Sequence, residues 1–358
     1  MPMRPGLPLV LCFTAAASAS AQSLAQRIDA VRDGTVRFSY ATRPGVCGDG
    51  RETVRSGMAI VVFPSMFGYG RSEMNVCFTG PARVAVGRVD GETVSLRVHV
   101  GGRWAEGSDV TDLGTVSAPD AARYLLGQVS ALRAGNAEYA LGAAVFADSV
   151  QLWPDLARLA RDREAKRDLR HRAVFWIGTY EDAAAARALR DLAAEEGLDD
   201  EVRGAAIIAL GRDDISDDDV AWLQRLYRSA SPKLKDNIFL AVSRSDSPRA
   251  SAWLIDVTTS SSESEETRRQ AMFWLGQGKA PTSALVKLYD RLRDPGLGSL
   301  RNHYTFVLSQ RRDDEALDKL IDVAQHDADR DVRKQALFWL GQSKDPRASA
   351  FLRDMVLR

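Results

Sequence analysis

The stretch VRKQALFWLGQSKDPRASAFLRDMV, residues 332–356, decides the fold. After the basic Arg333, apolar Ala336, Leu337 and Leu340 fall three, four and seven positions on, which is the spacing of one helix face. The small Gly341 follows eight positions after the arginine, and the turn SKDP then leads into a second amphipathic run. The same basic-then-small pairing recurs upstream as Arg170 with Gly178, Arg203 with Gly211, Lys235 with Ser243, Arg268 with Gly276 and Arg301 with Ser309. The interval is always 32 or 33 residues. Self-similarity at that period predicts stacked two-helix units, none of which buries its apolar face alone.

Together, VRKQALFWLGQSKDPRA from Val332 and TRRQAMFWLGQ from Thr267 resemble the HEAT-repeat family. The form is the short bacterial one, similar to the repeats of phycobilisome-lyase-like proteins. The resemblance covers about 137–358, including a degenerate extra unit from Ala137, AEYALGAAVFADSVQLWPDLARLARD. It implies an α-solenoid used for protein contacts and names no partner. The small residues are read as helix C-caps, a position that favours glycine.

Advancing about 100° per residue from each basic anchor places the other positions around the first helix of a unit. Positions three, four and seven meet the second helix. Positions five and six, as in Phe175–Trp176, Phe273–Trp274 and Phe338–Trp339, point to the two flanks. In a stack the flanks touch neighbouring units, so these aromatics read as inter-repeat packing rather than a ligand cage. Positions two and nine form a stripe predicted to face solvent on the concave side. It reads Arg172 and Thr179, Ala205 and Arg212, Asn237 and Arg244, Gln270 and Gln277, His303 and Gln310, Gln335 and Gln342. It holds no acid and no lysine, and its amides and guanidiniums suit peptide groups and carboxylates. The anchors are expected to pair with loop acids such as Asp200, Glu266 and Asp331 in a structural ladder. The cluster Asp213, Asp214, Asp217, Asp218 and Asp219 lacks the glycine and closing glutamate of a calcium loop, and reads as helix N-terminal charge.

The front of the chain is different. Residues 1–21 carry Arg4, an apolar core from Leu7 to Ala17 and small Ala19 and Ala21, the three-part pattern of a secretory signal. Leu11 before Cys12 argues against lipidation. Two cysteines then remain, Cys47 and Cys77, an even number that in an oxidising compartment reads as one disulfide. A period of two from Thr35 to Trp104 predicts short strands, with a hairpin turning at Asp90–Gly91 and a more central strand over Met58–Phe63. The loop carrying Phe67 and Tyr69 reads as a tethered loop or a recognition loop. Polar Asp109 to Pro119 reads as the connection to the helices. The expected organisation is therefore a signal over 1–21, a β-rich module over 22–118 and a mainly α, HEAT-like solenoid over 119–358.

Balanced charge, 48 basic against 48 acidic residues, argues against nucleic acid as a partner. The four histidines are scattered, and no nucleophile elbow or phosphate loop stands in the sequence, so neither cofactor, metal nor catalysis is expected. The leading expectation is an exported, non-catalytic scaffold or adaptor holding a protein or peptide partner. A lyase-like or chaperone enzyme for a small ligand and an envelope sensor in a regulatory complex are the alternatives. Phe351, Leu352, Met355 and Val356 suggest self-association through the last repeat.

Overall fold

The structure, a computed structural model, describes residues 22–51, 53–56, 59–62, 77–104, 107, 109–132, 134–211, 215–294 and 297–357. The signal segment, the Phe67/Tyr69 loop, Arg212, Asp213 and Asp214 lie outside them. The chain divides into two compact units, 1–150 and 151–358.

In the first unit, the short α1 (Leu24–Asp29) opens with a capping box between Ser23 and Gln26. Strands β1 (Gly34–Tyr40), β5 (Ala82–Val89), β6 (Glu92–Val100) and β7 (Val110–Thr115) form a sheet in the order β6-β5-β1-β7. Alternation predicts its buried side: Val36, Phe38, Tyr40, Val84, Val86, Leu96, Val98 and Val100 are all buried. The β5–β6 hairpin turns where expected, with Asp90 and Gly91 both at positive φ, 53° and 83°. Strand β7 overturns the reading of Asp109–Pro119 as a connection. It pairs in parallel with β1, and Arg37 donates to Asp112 across the pair at 2.8 Å. Its side chains are too polar to reveal an edge strand held by backbone bonds.

A second sheet, β2 (Val46–Gly48), β3 (Thr53–Ser56) and β4 (Ala59–Val62), runs antiparallel in chain order. Strand β4 pairs only with β3, so the apolar run at 59–62 forms an edge rather than a central strand; Met58 and Phe63 lie outside the described residues. A disulfide joins Cys47 to Cys77. Two helices complete the unit, α2 (Ala118–Gln128) and α3 (Ala134–Val145), and the Tyr40 hydroxyl donates to the Ala143 carbonyl at 2.6 Å. The change from strand to helix thus falls at 118, as the sequence implies, whereas the break between compact units falls at 150/151. That break runs through the degenerate repeat read from Ala137, whose first helix, α3, packs on α2 and β6.

In the second unit, α4 (Trp153–Arg161) precedes six helix pairs: α5 (Arg167–Ile177) with α6 (Ala183–Ala194), α7 (Asp200–Leu210) with α8 (Asp217–Leu226), α9 (Pro232–Ser243) with α10 (Pro248–Thr259), α11 (Glu265–Gln277) with α12 (Thr282–Arg291), α13 (Gly298–Ser309) with α14 (Asp314–His326), and α15 (Arg330–Gln342) with α16 (Pro346–Val356). Every anchor sits three residues inside its helix. Four residues before it, Asp199, Ser231, Ser264 and Asp329 cap free backbone N–H groups. Asp217, Asp218 and Asp219 occupy the first turn of α8 behind the cap Ser216, where negative charge meets the helix dipole.

The small residues do not act as left-handed caps. Gly178 and Gly211 have negative φ, and Gly276 and Gly341 lie inside α11 and α15. Their reason is proximity. A Cβ at Gly178 would stand 2.9 Å from the Ala209 Cβ, and one at Gly211 would stand 2.6 Å from the Ala241 Cα. One at Gly276 would overlap Val307, while one at Gly341 would meet nothing. Gly211→Ala should therefore destabilise the array by about 1–3 kcal/mol through overpacking. Gly341→Ala should be neutral or stabilising by up to about 1 kcal/mol, since alanine is the better helix former. Equal urea midpoints for the two variants would refute this account.

Successive first helices approach one another more closely than successive second helices do. A stack curves toward its tighter layer, so the first helices line the inner side.

Candidate protein-binding face

Each anchor arginine ties its unit to the one before. Arg170, Arg203 and Arg268 donate through Nε to the carbonyls of Ala160, Ala193 and Thr258, each ten residues earlier at a helix C-terminus. Arg301 donates to Leu292 and Asp294, and Arg333 to Asp327 and Ala328. A guanidinium there satisfies orphan carbonyls and complements the negative end of the helix dipole. The acids differ in part from expectation. Asp200 does approach Arg203 at 3.6 Å, but Glu266 pairs with Arg269 and Asp331 with Lys334. Across units, Arg170 pairs with Asp199, Lys235 with Glu263 and Arg301 with Asp327.

The tryptophans of the Phe–Trp pairs reach backward, as packing residues should. Trp274 donates to Asp236 of α9 at 2.7 Å, and the Trp339 ring lies 5.3 Å from that of Phe306 in α13. The Phe338 ring, on the opposite flank of the last unit, is half exposed.

The stripe on the inner layer divides into two halves. In its first half, Arg172 and Thr179 are half-buried, Ala205 is buried, and Asn237 packs where a Cβ on Gly204 would collide with it. Arg244 is half-buried and aims its Nη1 at the carbonyls of Ile208 and Gly211, at 3.5 and 3.2 Å. These side chains are occupied with the neighbouring unit, so the reading of this half as a solvent-facing stripe is corrected. Helix close approach, which a helical wheel does not include, is the cause. In the second half, Gln277, Gln310 and Gln342 are exposed and Gln270, His303 and Gln335 are partly exposed. Gln270 and Gln310 make only long bonds, to Glu266 at 3.5 Å and Ser309 at 3.3 Å.

Burial, reinforced by the nearby Arg269 charge, lowers the His303 pKa, while a hydrogen bond to the Arg269 backbone and the Glu266 charge oppose the shift. A histidine whose folded pKa lies below its unfolded value near 6.5 contributes stability above that value and loses it as pH falls. Urea midpoints should thus drop on going from neutral to mildly acidic pH, and His303→Gln should shrink the drop. An unchanged pH dependence in the variant would show that His303 stays neutral for no energetic reason.

Between the fifth and sixth pairs, at the turns joining their helices, lies a cavity of about 580 Å³. Buried Leu308, Leu317 and Leu320 line it with Trp339, and Gln310 and Gln342 of the stripe stand beside them. Arg312 and Lys344, on the turns themselves, complete it. Reading helix faces missed these two residues because they belong to no face; their place just after the anchored helices is the signal that could have found them.

An array of paired helices stacked through a repeated anchor is an α-solenoid. Its sequence matches HEAT repeats at residues 252–337 and again at 285–358, so this part of the chain carries HEAT repeats. No curated protein sequence matches the chain. Among solved structures, the complex of CpcE and CpcF of phycocyanin lyase from Nostoc is 19% identical over 54% of this chain and 78% of its own, with a TM-score of 0.30. Human deoxyhypusine hydroxylase with glycerol is 19% identical over 66% of this chain and 92% of its own, with a TM-score of 0.25. At these values neither likeness carries an activity to this chain. No helix among the described residues is long and apolar enough to cross a membrane.

Proposed function

We propose that this chain is an exported, non-catalytic scaffold that holds a partner polypeptide along the inner face of its HEAT repeats. The observation that carries the reading is the second half of the stripe. From α11 to α15, Gln270, Gln277, His303, Gln310, Gln335 and Gln342 form an acid-free, lysine-free row on the inner layer, with three of its amides exposed. Amides that both donate and accept suit the backbone of an extended peptide. Three units span one such row, which gives affinity through repetition rather than through a single strong contact.

Selection of a displayed random-peptide library on the full chain tests this, beside a variant carrying Gln277→Glu, Gln310→Glu and Gln342→Glu. Peptides enriched on the native chain and lost on the variant support the inner face; enrichment equal on both moves binding elsewhere. The Cys47–Cys77 bond is what an oxidising compartment allows, and with the signal-like 1–21 it supports export. The mass of the chain recovered from its own cells should lack residues 1–21. A mass that includes them removes the export reading.

A further inference from the structure

We propose that the cavity between the fifth and sixth helix pairs seats a large apolar side chain of the partner polypeptide, with an adjacent carboxylate held by Arg312 and Lys344. The inference rests on the inner-face reading above and adds to it the chemistry of the bound segment.

The cavity has a sequence cause. In the fifth unit, Arg311 stands ten residues after its anchor and fills the junction with the fourth, donating through Nη2 to the carbonyls of Leu275, Gly278 and Ala280 at 3.2, 3.4 and 2.8 Å. Ten residues after the next anchor, Arg333, stands Ser343. Its hydroxyl is too short to cross the junction and accepts from the Asp345 backbone instead. A staple present at one junction is missing at the next, and the space it would fill stays open.

The lining selects the occupant. Leu308, Leu317, Leu320 and Trp339 make an apolar floor, and about 580 Å³ lies within the range of pockets that enclose a ligand group. Both acids at the rim are already committed. Asp313 accepts from the Ala316 backbone at 2.9 Å and from the Thr282 hydroxyl at 2.6 Å. Asp345 accepts from the Arg347 backbone and side chain, and that arginine holds its carboxyl below the usual range. Arg312 and Lys344 make no hydrogen bond or ion pair among the described residues. An apolar floor with two unengaged cations at its edge complements an apolar residue beside an acidic one. Gln310 and Gln342, next to the same cavity, then take the backbone on either side of that residue.

Fluorescence anisotropy with labelled, acetylated hexapeptides tests the assignment. One probe has phenylalanine beside two aspartates, the second has the aspartates changed to lysine or arginine, and the third has the phenylalanine changed to serine. The first should bind and the others should not. Arg312→Glu with Lys344→Glu should weaken it about tenfold, as removal and reversal of two exposed ion pairs would. Ser343→Arg, which restores the staple of the preceding unit, should abolish binding while leaving the circular dichroism and urea midpoint of the array intact. Tighter binding of the arginine probe would mark a vacant arginine slot and overturn the proposal. So would a native chain that sediments as a dimer and becomes monomeric in the charge-reversed variant, which assigns the cavity to a second copy. Library peptides lost on the glutamine variant but kept on Ser343→Arg would leave the inner face standing and sink the cavity alone. No binder on any form would sink both.

Discussion

Replacing Asp327 with alanine is expected to destabilise the helical array by about 3–5 kcal/mol, the cost of leaving a buried charge without its partner. Arg301 and Asp327 are 4% and 6% exposed, and Arg301 Nε lies 3.2 Å from Asp327 Oδ2. That contact is an ion pair whose angle leaves Nε short of a hydrogen bond. The rest of the guanidinium is fixed by the Leu292 and Asp294 carbonyls at 2.8 and 2.7 Å, so it has nowhere to turn when the carboxylate goes. The Tyr289 hydroxyl also donates to Asp327 and loses its acceptor in the same step. A control breaks the exposed Arg293–Asp290 pair with Asp290→Ala, which should cost no more than about 1 kcal/mol. Arg301→Met with Asp327→Leu should recover much of the loss, because it removes both charges together. Urea denaturation followed by far-ultraviolet dichroism reads all three, and an Asp327→Ala cost no larger than the control would refute the argument. Burial, aided by the Asp327 carboxylate, raises the Tyr289 pKa. The folded state holds that proton more tightly, so this contribution is complete below the unfolded tyrosine value near 10 and is lost as pH rises above it.

The anchors show what a repeat makes legible. Their 32–33-residue spacing predicts the register of every first helix, because each copy must meet its neighbours in the same way. Asp199, Ser231, Ser264 and Asp329, four residues before four of the anchors, carry the same register in their capping chemistry. What the period does not contain is the distance between copies. Gly211 looks like a terminator until Ala241 is placed against it, and Asn237 looks solvent-facing until Gly204 is seen to admit it. The cavity lies further from view, since it arises from a departure from the repeat, serine where one unit earlier has arginine. In the first unit the alternation of Val36, Phe38 and Tyr40 predicts the sheet, but β7 stays hidden because its partner is the backbone of β1 rather than an apolar face.

The same contrast between backbone and side-chain support governs the expected effect of opening the Cys47–Cys77 bond. Strands β2, β3 and β4 are three or four residues long, shorter than the usual strand, and a sheet of that size is marginal unless something restricts its chain. The disulfide does so by closing a 30-residue separation, which the chain-entropy argument values at about 3–4 kcal/mol. It acts beside a backbone clamp, where Gly48 and Phe78 exchange hydrogen bonds at 3.0 and 2.8 Å. Those two bonds alone contribute about 1–3 kcal/mol net, so they do not replace the covalent link. Cys47→Ser with Cys77→Ser should therefore lower the stability of the first unit by about 3–4 kcal/mol. Amide exchange should rise first in β2–β4, while β1, β5 and β6, joined by long ladders over a buried face, keep more of their protection. The helical array provides an internal reference, because its stability is a sum over its own units and their neighbours. Exchange in β2–β4 that stays at the oxidised rate, with both cysteines replaced and confirmed by mass, would show that the backbone clamp suffices and that the disulfide adds nothing to this fold.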